Sequence, residues 1–342
     1  MDKINILDLS LMQLQEILKT NGFPAYRALQ VLNPIYKGNV SEFPGIKNIP
    51  EELRLFLMKK FELMPAKIIN KQASSDGTGK YLLLLNDGEK IESVIIPAKD
   101  RLTACLSTQV GCKFGCKFCA SGILGFKRNL SSGEIISQLI LCAREAKRRI
   151  TNIVFMGVGE PLDNYENLMK AIRIINSPGG INIGARRITV STCGIPDKIK
   201  RLSQEGLQVE LAISLHGYND ETRSRLMPVN KKYPLGELLS ECRRYSHETK
   251  RQITFEYLLV KGLTCIPEAA GFLAKALKGI THKLNLIVYN EVKELGFIPP
   301  TDIEIKEFER ALETNGIHAV LRASKGRDIS AACGQLRIKA CK

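Results

Sequence analysis

At 342 residues the chain has room for about two domains of ordinary size, and its 44% hydrophobic and 25% charged residues exclude global disorder. No apolar run reaches the length of a membrane span, and the opening Met1-Asp2-Lys3-Ile4-Asn5 lacks the pattern of a secretory signal, so a cytoplasmic protein without membrane association is expected. Fifty Lys and Arg against 35 Asp and Glu leave a net charge of +15, which suits either a polyanionic partner or a basic but solvated surface.

Residues 1–97 form a predicted accessory region, helical first and then a β-hairpin. Leu11, Leu14, Ile17 and Leu18 have helical spacing and Asn21-Gly22 supplies a stop. Ala28, Val31, Leu32 and Ile35 repeat the pattern, and a third helix is expected from about Pro50. Two strand-like runs, 81–85 and 91–96, flank Asp87-Gly88, a hairpin signal. From about residue 98 to 321 the rhythm becomes strand, loop, helix. Strands are expected at 102–106, 153–155, 187–190, 209–214, 253–260 and 284–288. Between the first two, Ser131 and Glu134 form a capping-box pattern ahead of an apolar stripe. Six β/α units imply an α/β fold with a parallel sheet curled into a partial, TIM-like (β/α)6 barrel, its chemistry on the loops after the strands. Residues 322–342 are a Gly- and charge-rich tail interrupted by Ala331-Ala332-Cys333-Gly334.

Ten cysteines without a secretory signal are better read as thiols or metal ligands than as disulfides. Cys105, Cys112, Cys116 and Cys119 crowd together, and the last three lie in one loop after the first barrel strand. Three thiolates are one short of a closed zinc or protein-saturated iron–sulfur site. They suit a 4Fe–4S cluster that keeps one iron open. Zinc completed by a distant cysteine or by His216, or three merely buried cysteines, are the alternatives.

The spacing Cys112-Lys113-Phe114-Gly115-Cys116-Lys117-Phe118-Cys119 resembles that of the radical S-adenosylmethionine (SAM) enzymes. That resemblance implies a cluster whose open iron is chelated by SAM and which cleaves it to a 5′-deoxyadenosyl radical. Gly157-Val158-Gly159-Glu160-Pro161 resembles the family's Gly-Glu segment, which meets the SAM amino group, so Gly159 and Glu160 are assigned to SAM. Ser191, then Ser214, Leu215 and His216, and finally Asn290 match polar SAM contacts after later strands. Singly these are weak signals; their placement after successive strands makes them a set.

One branch fits over almost the whole chain. Ile91-Glu92-Ser93-Val94, Cys105-Leu106-Ser107-Thr108-Gln109-Val110-Gly111-Cys112, Gly125-Phe126-Lys127-Arg128-Asn129-Leu130, Gly159-Glu160-Pro161-Leu162, Ser214-Leu215-His216 and Asp328-Ile329-Ser330-Ala331-Ala332-Cys333-Gly334-Gln335-Leu336 resemble the RlmN-type ribosomal and transfer RNA adenine carbon-2 methyltransferases. The resemblance implies two SAM per turnover. One methylates Cys333, and the second yields the radical that activates the S-methyl group for addition to carbon 2. Cys105 then resolves the covalent adduct through a transient disulfide with Cys333, and Glu92 accepts the carbon-2 proton. The implied partners are 23S rRNA, tRNA and an electron donor such as flavodoxin or ferredoxin, with the enzyme a monomer.

Taken alone, Cys105 also suits a core strand, Cys333 a turn after two alanines, and Glu92 a solvent-facing strand position. Cys142, Cys193, Cys242, Cys265 and Cys341 match nothing in the family pattern. Lys113, Lys117, Lys127 and Arg128 beside the cluster loop, and Arg322, Lys325 and Arg327 before Cys333, are expected to meet phosphates. The chain departs from the family at Leu286-Ile287-Val288-Tyr289, where Pro-Trp is usual, and at Glu291-Val292, where proline is expected after Asn290. The nearest rival is a carbon-8 adenine methyltransferase with the same cysteines, although Gly125-Phe126 and Pro161 favour carbon 2. A rival of another class is a non-catalytic iron–sulfur or zinc protein that binds RNA.

Overall fold

The computed structural model describes residues 3–123, 125–292 and 295–336, so Cys341 lies outside the described residues. Strand β1 (Ile4–Asn5) pairs in parallel with β2 (Phe61–Glu62). Between them run helices α1 (Leu11–Thr20), α2 (Arg27–Tyr36) and α3 (Glu51–Lys60). A capping box of Ser10 and Gln13 opens α1, and Pro50 stands at the N-cap of α3, one place ahead of the expected first turn. Leu14, Leu18, Val31, Leu32, Ile35, Leu53 and Leu57 are fully buried where the three helices meet. This helical unit is tied to the rest by Asp8, whose Oδ1 accepts from Ser132 Oγ at 2.7 Å and Gly133 N at 2.6 Å. Those donors sit in the first turn of α4 (Ser132–Ala146), where a carboxylate is favoured by the helix dipole and the unpaired N–H groups.

The hairpin expected at Asp87-Gly88 is present as β4 (Gly79–Leu85) and β5 (Lys90–Pro97). Before it comes a strand not anticipated from the sequence, β3 (Ala66–Ala73), which pairs antiparallel with β4 around a bulge at Ile68 and Asn70. Its run is mostly polar because it is a sheet edge, so apolar alternation gave no signal. The expected barrel strands are β6 (Leu102–Cys105), β9 (Asn152–Phe155), β10 (Ile188–Thr192), β11 (Glu210–Ser214), β12 (Ile253–Leu259) and β13 (His282–Val288). Between β6 and β9 a small ribbon, β7 (Gln109–Gly111) with β8 (Phe126–Asn129), frames the cluster loop. Helices α5 (Tyr165–Asn176), α6 (Pro196–Ser203), α7 (Asp220–Leu226), α8 (Leu235–Thr249), α9 (Glu268–Leu277) and α10 (Asp302–Thr314) join the remaining strands.

A seventh parallel strand, β14 (Ala319–Arg322), extends the predicted six; it closes the segment read as barrel core and takes in only Arg322 of the segment read as tail. The strands form one ten-stranded sheet in the order β14-β13-β12-β11-β10-β9-β6-β5-β4-β3. It is parallel from β14 to β6 and antiparallel beyond, a partial (β/α)6 barrel extended by the hairpin region. No helix among the described residues is long and apolar enough to cross a membrane.

Candidate active site

Strand register decides which residues meet. Lys80 pairs with Val94, Val94 with Cys105, and Cys105 with Val154. Across the barrel, Ser191 pairs with Ala212, Ser214 with Glu256, and Glu256 with Asn285. Side chains alternate across a strand, so Lys80, Glu92, Cys105, Ser191, Ser214, Glu256 and Asn285 share the inner face. The other face carries Leu83, Ile91, Ala104, Ile153, Val190, Ile213, Phe255 and Leu286, all buried in the core.

The cluster loop begins where β7 ends. Gly111 has φ +76°, and a Cβ there would lie 1.7 Å from the carbonyl oxygen of Gly125, so the loop turns on a residue that has to be glycine. Cys112 N donates to Gly125 O at 2.9 Å and Cys119 N to Cys116 O at 3.2 Å. All three thiols are free and half-buried. Burial pushes Cys112 up to about 12 and raises Cys116 further, and the neighbouring loop thiols add to both shifts. Among the described residues, no three His, Cys, Asp or Glu side chains converge closely enough to hold a single ion. Three thiols on one loop, spread more widely than one zinc requires, fit a cuboidal cluster with an open iron.

The Gly-Glu segment follows β9. Gly159 has φ +105°, and a Cβ there would meet Gln109 Cβ at 2.6 Å. Gln109 accepts from Glu160 N at 2.8 Å and donates to Asn129 and Asp163, locking this loop to the ribbon. Glu160 is buried. Its Oε1 accepts from Leu162 N at 3.0 Å and its Oε2 from Cys193 N at 2.7 Å. Burial raises its pKa, while those bonds and others from Thr192 and Cys193 pull it back. A buried carboxylate oriented by backbone donors beside the cluster loop suits an ammonium ligand.

Ser191 lies on the inner face of β10 and Ser214 at the end of β11, both half-buried. Leu215 is fully buried, so only its backbone is available, and its carbonyl already accepts from the buried Arg223 at 3.1 Å. His216 takes φ +50°, and its Nδ1 accepts from Leu258 N at 3.1 Å. The ring stands edge-on to Phe118, 4.8 Å away, which places it against the cluster loop. Burial, with Arg223 second, lowers its pKa to about 3, so it is neutral and carries its proton on Nε2. Asn290 is also buried, but it faces the tail: its Nδ2 donates to Cys333 O at 3.2 Å and its Oδ1 accepts from Arg327 Nε at 2.8 Å.

The tail folds into the open side of the barrel. Ile329, Ala331 and Leu336 pack with Val94, Cys105, Val154 and Val158 in a small apolar cluster. Ala120 N donates to Gly334 O at 2.7 Å and Ser121 Oγ to Leu336 O at 2.7 Å, stitching the tail to the residues after Cys119. Cys333 is solvent-exposed, its carbonyl held by Asn290, and surrounding protein, then Glu256 and Cys119, raise its thiol to about 11. Cys105 is buried and raised well above an ordinary thiol, first by burial and then by Cys333. Both are free thiols in this structure. Glu92, which by itself suited a solvent-facing position, is 4% exposed and pairs with Lys80 Nζ at 3.4 Å. The structure thus brings the Cys333 tail beside Cys105, beside the Lys80–Glu92 pair and against the residues that follow Cys119.

The cations expected to meet phosphates at the mouth are largely engaged. Lys113 pairs with Asp163 at 2.6 Å, Lys127 with Glu89 at 2.8 Å, Arg128 with Asp87 at 2.6 Å and Glu134 at 2.8 Å, and Lys325 with Asp76 at 3.9 Å. Neighbouring carboxylates distant in sequence neutralise them. Two lumen residues went unrecognised in the sequence. Lys80 bridges Glu92 to the carbonyl of Ser330, at 3.2 Å. Glu256 accepts from Asn285 Nδ2 at 2.9 Å, and burial raises its pKa. A lone acid within the apolar run Phe255-Glu256-Tyr257-Leu258 was the available signal.

The chain matches the family model of the radical SAM superfamily over residues 106–265 and that of the ribosomal RNA large subunit methyltransferase N-terminal domain over residues 4–63. It is 47% identical over 334 residues to a Clostridium perfringens protein named "Probable dual-specificity RNA methyltransferase RlmN", covering 97% of this chain and 96% of that one. A protein of the same name from Geobacillus kaustophilus is 44% identical, covering 98% of this chain and 93% of that one. The crystal structure of a radical SAM methyltransferase from Sphaerobacter thermophilus superposes with a TM-score of 0.94 at 44% identity, covering 98% of this chain and 99% of that one. With this agreement along nearly the whole chain, added to a three-cysteine loop and a cysteine-bearing tail meeting in one barrel, the chain belongs to the RlmN family of radical SAM RNA methyltransferases.

Proposed function

We propose that this enzyme methylates carbon 2 of an adenosine in the peptidyl-transferase centre of 23S rRNA, and of an adenosine next to the anticodon in tRNAs, through an S-methylcysteine. The observation that carries the reading is the docking of the Cys333 tail beside Cys105 and Glu92: Ala331 and Leu336 pack with Cys105, and Lys80 pairs with Glu92 while donating to Ser330 O, three residues before Cys333. Cys112, Cys116 and Cys119 would hold the 4Fe–4S cluster; Gly159, Glu160, Ser191, Ser214, Leu215, His216 and Asn290 would line the SAM side. Bound there, cluster and SAM supply a methyl group and a hydrogen-abstracting radical, one SAM for each, with electrons from a flavodoxin- or ferredoxin-type donor.

The chain's own residues do the rest. Cys333 Sγ is the nucleophile that accepts the methyl group, and its thiol proton is released. The same carbon becomes bonded to carbon 2 of the base, tethering the RNA to the tail. Glu92 removes the carbon-2 proton, with Lys80 beside it to favour the ionised carboxylate before transfer. Cys105 Sγ, having given up its proton, then attacks Cys333 Sγ; the bond to the methylene carbon breaks with its electron pair going to that carbon, which takes up a proton to become the product methyl group, and the disulfide left behind is reduced by the cell's thiols. The buried, raised Cys105 thiol is a poor free nucleophile, which suits a group meant to act only on a sulfur held against it.

The test is anaerobic turnover of reconstituted enzyme with SAM and unmodified large-subunit RNA or tRNA, followed by mass spectrometry of the nucleosides. 2-Methyladenosine is the expected product. Formation of 8-methyladenosine would transfer the enzyme to the carbon-8 branch, and no modified adenosine would overturn the reading.

A further inference from the structure

The positive charge that the mouth neutralises is not lost to the molecule; it is concentrated at the other end of the barrel. The segments at the entries of β9, β10, β11, β12 and β13, residues 147–151, 185–187, 204–210, 250–252 and 278–283, carry nine Lys and Arg and two acids. That local surplus is close to half of the chain's +15. Neighbouring strands in this stretch are all parallel, so these entries lie side by side along one rim. Arg148, Arg149, Arg186, Arg187, Lys250 and Lys283 are exposed there. Their contacts leave the charge in place: Arg149 donates to the Asn182 carbonyl at 3.1 Å and Arg186 to Gln208 Oε1 at 2.9 Å, both neutral acceptors. Among the described residues of this rim, the half-buried Arg251 pairs with Glu210, and Glu205 is engaged by Arg173 and Arg201 on flanking helices. Beside Arg148 and Arg149 the rim opens into a cleft of about 810 Å³, lined also by Lys37, Arg144 and Asn182, between the helical unit and the barrel.

We propose that this strand-entry rim is a second RNA-contact surface, taking the phosphate backbone of substrate RNA away from the target adenosine. The inference rests on the RNA-methyltransferase reading and adds where the nucleic acid is held. Exposed guanidinium groups without carboxylate partners are suited to bidentate phosphate contacts, and a run of them displaces condensed counterions. The rim lies a strand length from the mouth, about 23 Å for seven residues at roughly 3.3 Å each. That separation disfavours an acidic electron-transfer protein as the occupant, because electron transfer to the cluster loop weakens steeply with distance. A folded RNA, by contrast, is large enough to reach both ends.

The experiment compares intact enzyme with a variant carrying Arg148→Ala, Arg149→Ala, Arg186→Ala and Arg187→Ala, and with the matching four-Lys variant. Binding is measured from low to moderate salt with full-length unmodified large-subunit RNA and with a short hairpin carrying the target adenosine. The Ala variant should bind the long RNA at least tenfold more weakly at low salt, with a log–log salt slope shallower by about two to four, at about 0.9 per lost phosphate contact. The hairpin should bind both proteins alike, the Lys variant should keep the slope, and cluster content and SAM cleavage should be unchanged. An unaltered slope for the long RNA, or equal loss for hairpin and long RNA, would overturn the proposal. So would rim-dependent binding to phosphatidylglycerol vesicles or to flavodoxin in place of RNA. If the intact enzyme itself bound no RNA, the failure would lie with the proposed function and not with the rim alone.

Discussion

Lys80 and Glu92 lie on adjacent antiparallel strands with Lys80 Nζ 3.4 Å from Glu92 Oε1, and both side chains are largely buried. The same ammonium donates to Ser330 O at 3.2 Å, three residues before Cys333. One cation therefore joins the proposed proton acceptor to the loop that carries Cys333. The turn ahead of Lys80 grips that loop from the other side. Asp328 accepts from Ser74 Oγ at 2.6 Å and Ser75 N at 3.1 Å, and Asp76 accepts from Gly326 N at 3.0 Å.

Lys80→Met should leave the cluster and SAM cleavage intact but lower methylated adenosine roughly tenfold to a hundredfold, the range for losing charged hydrogen bonds of about 1.5–3 kcal/mol. Lys80→Arg should recover part of it. The readout is the ratio of 5′-deoxyadenosine to methylated adenosine, which should rise in the Met variant. A ratio equal to that of the intact enzyme would make Lys80 a structural residue only.

Gly326 offers a second handle on the docked tail. Its φ is +66°, and a Cβ there would lie 2.8 Å from Ala331 Cβ and 2.9 Å from Thr78 Cγ2. Gly326→Ala is expected to loosen the tail without touching the cluster loop, so Cys333 should react faster with iodoacetamide while product formation falls. Unchanged alkylation would show that the loop absorbs the methyl group.

The two thiols should fail differently. Cys333→Ala should retain iron and sulfide and form neither adduct nor product. Cys105→Ala should still join the base but not release it, leaving a nuclease-sensitive mass shift of the protein on a gel. Normal release from Cys105→Ala would remove its resolving role.

Replacing Cys112, Cys116 or Cys119 by Ala should abolish cluster and turnover together. Glu160→Asp should keep the cluster and weaken SAM binding by about tenfold or more, since withdrawal by one methylene breaks a charge-assisted contact worth about 1.5–3 kcal/mol. The same change also strains the bonds from Leu162 N and Cys193 N, so affinity is read by equilibrium dialysis on samples matched for iron content.

His216 gives a pH signature. Its pKa falls from 6.5 to about 3 on folding, mainly through burial. The unfolded chain therefore binds the extra proton between those values, and stability rises with pH across that window. The contribution is fully present above about pH 6.5 and is lost as pH falls toward 3, at about 1.4 kcal/mol per unit. Urea midpoints at pH 7.5 and 5.5 should differ less in His216→Asn than in the unaltered protein; an equal difference would assign the acid sensitivity to other groups.

Much of this protein is legible in its residues because its strongest signals are local. Cys112, Cys116 and Cys119 sit within one loop, Ser131 and Glu134 cap α4 through neighbouring backbone, and the six central strands are compact apolar runs between turn residues. Such features depend on spacings of two to four residues, which tertiary packing rarely overrides. Strands β3 and β14 were not legible: β3 is an edge strand whose exposed polar residues break the apolar alternation, and β14, also at an edge, is an apolar run of only four residues. Nor was the fate of Lys113, Lys127 and Arg128 legible, since their carboxylate partners lie 38 to 50 residues away for all but the nearby Glu134. The meeting of Lys80, Glu92, Cys105, Ser330 and Cys333 is likewise a product of register and of the tail entering the barrel. Sequence by itself determined the chemistry available and the family; only the tertiary structure decided which strand the Cys333 tail docks beside, which acid is buried beside a lysine, and which end of the barrel keeps exposed arginines. The physical reason is that bond-forming chemistry is carried by side-chain identity, whereas encounter and electrostatic neutralisation depend on groups that the chain brings together from far apart.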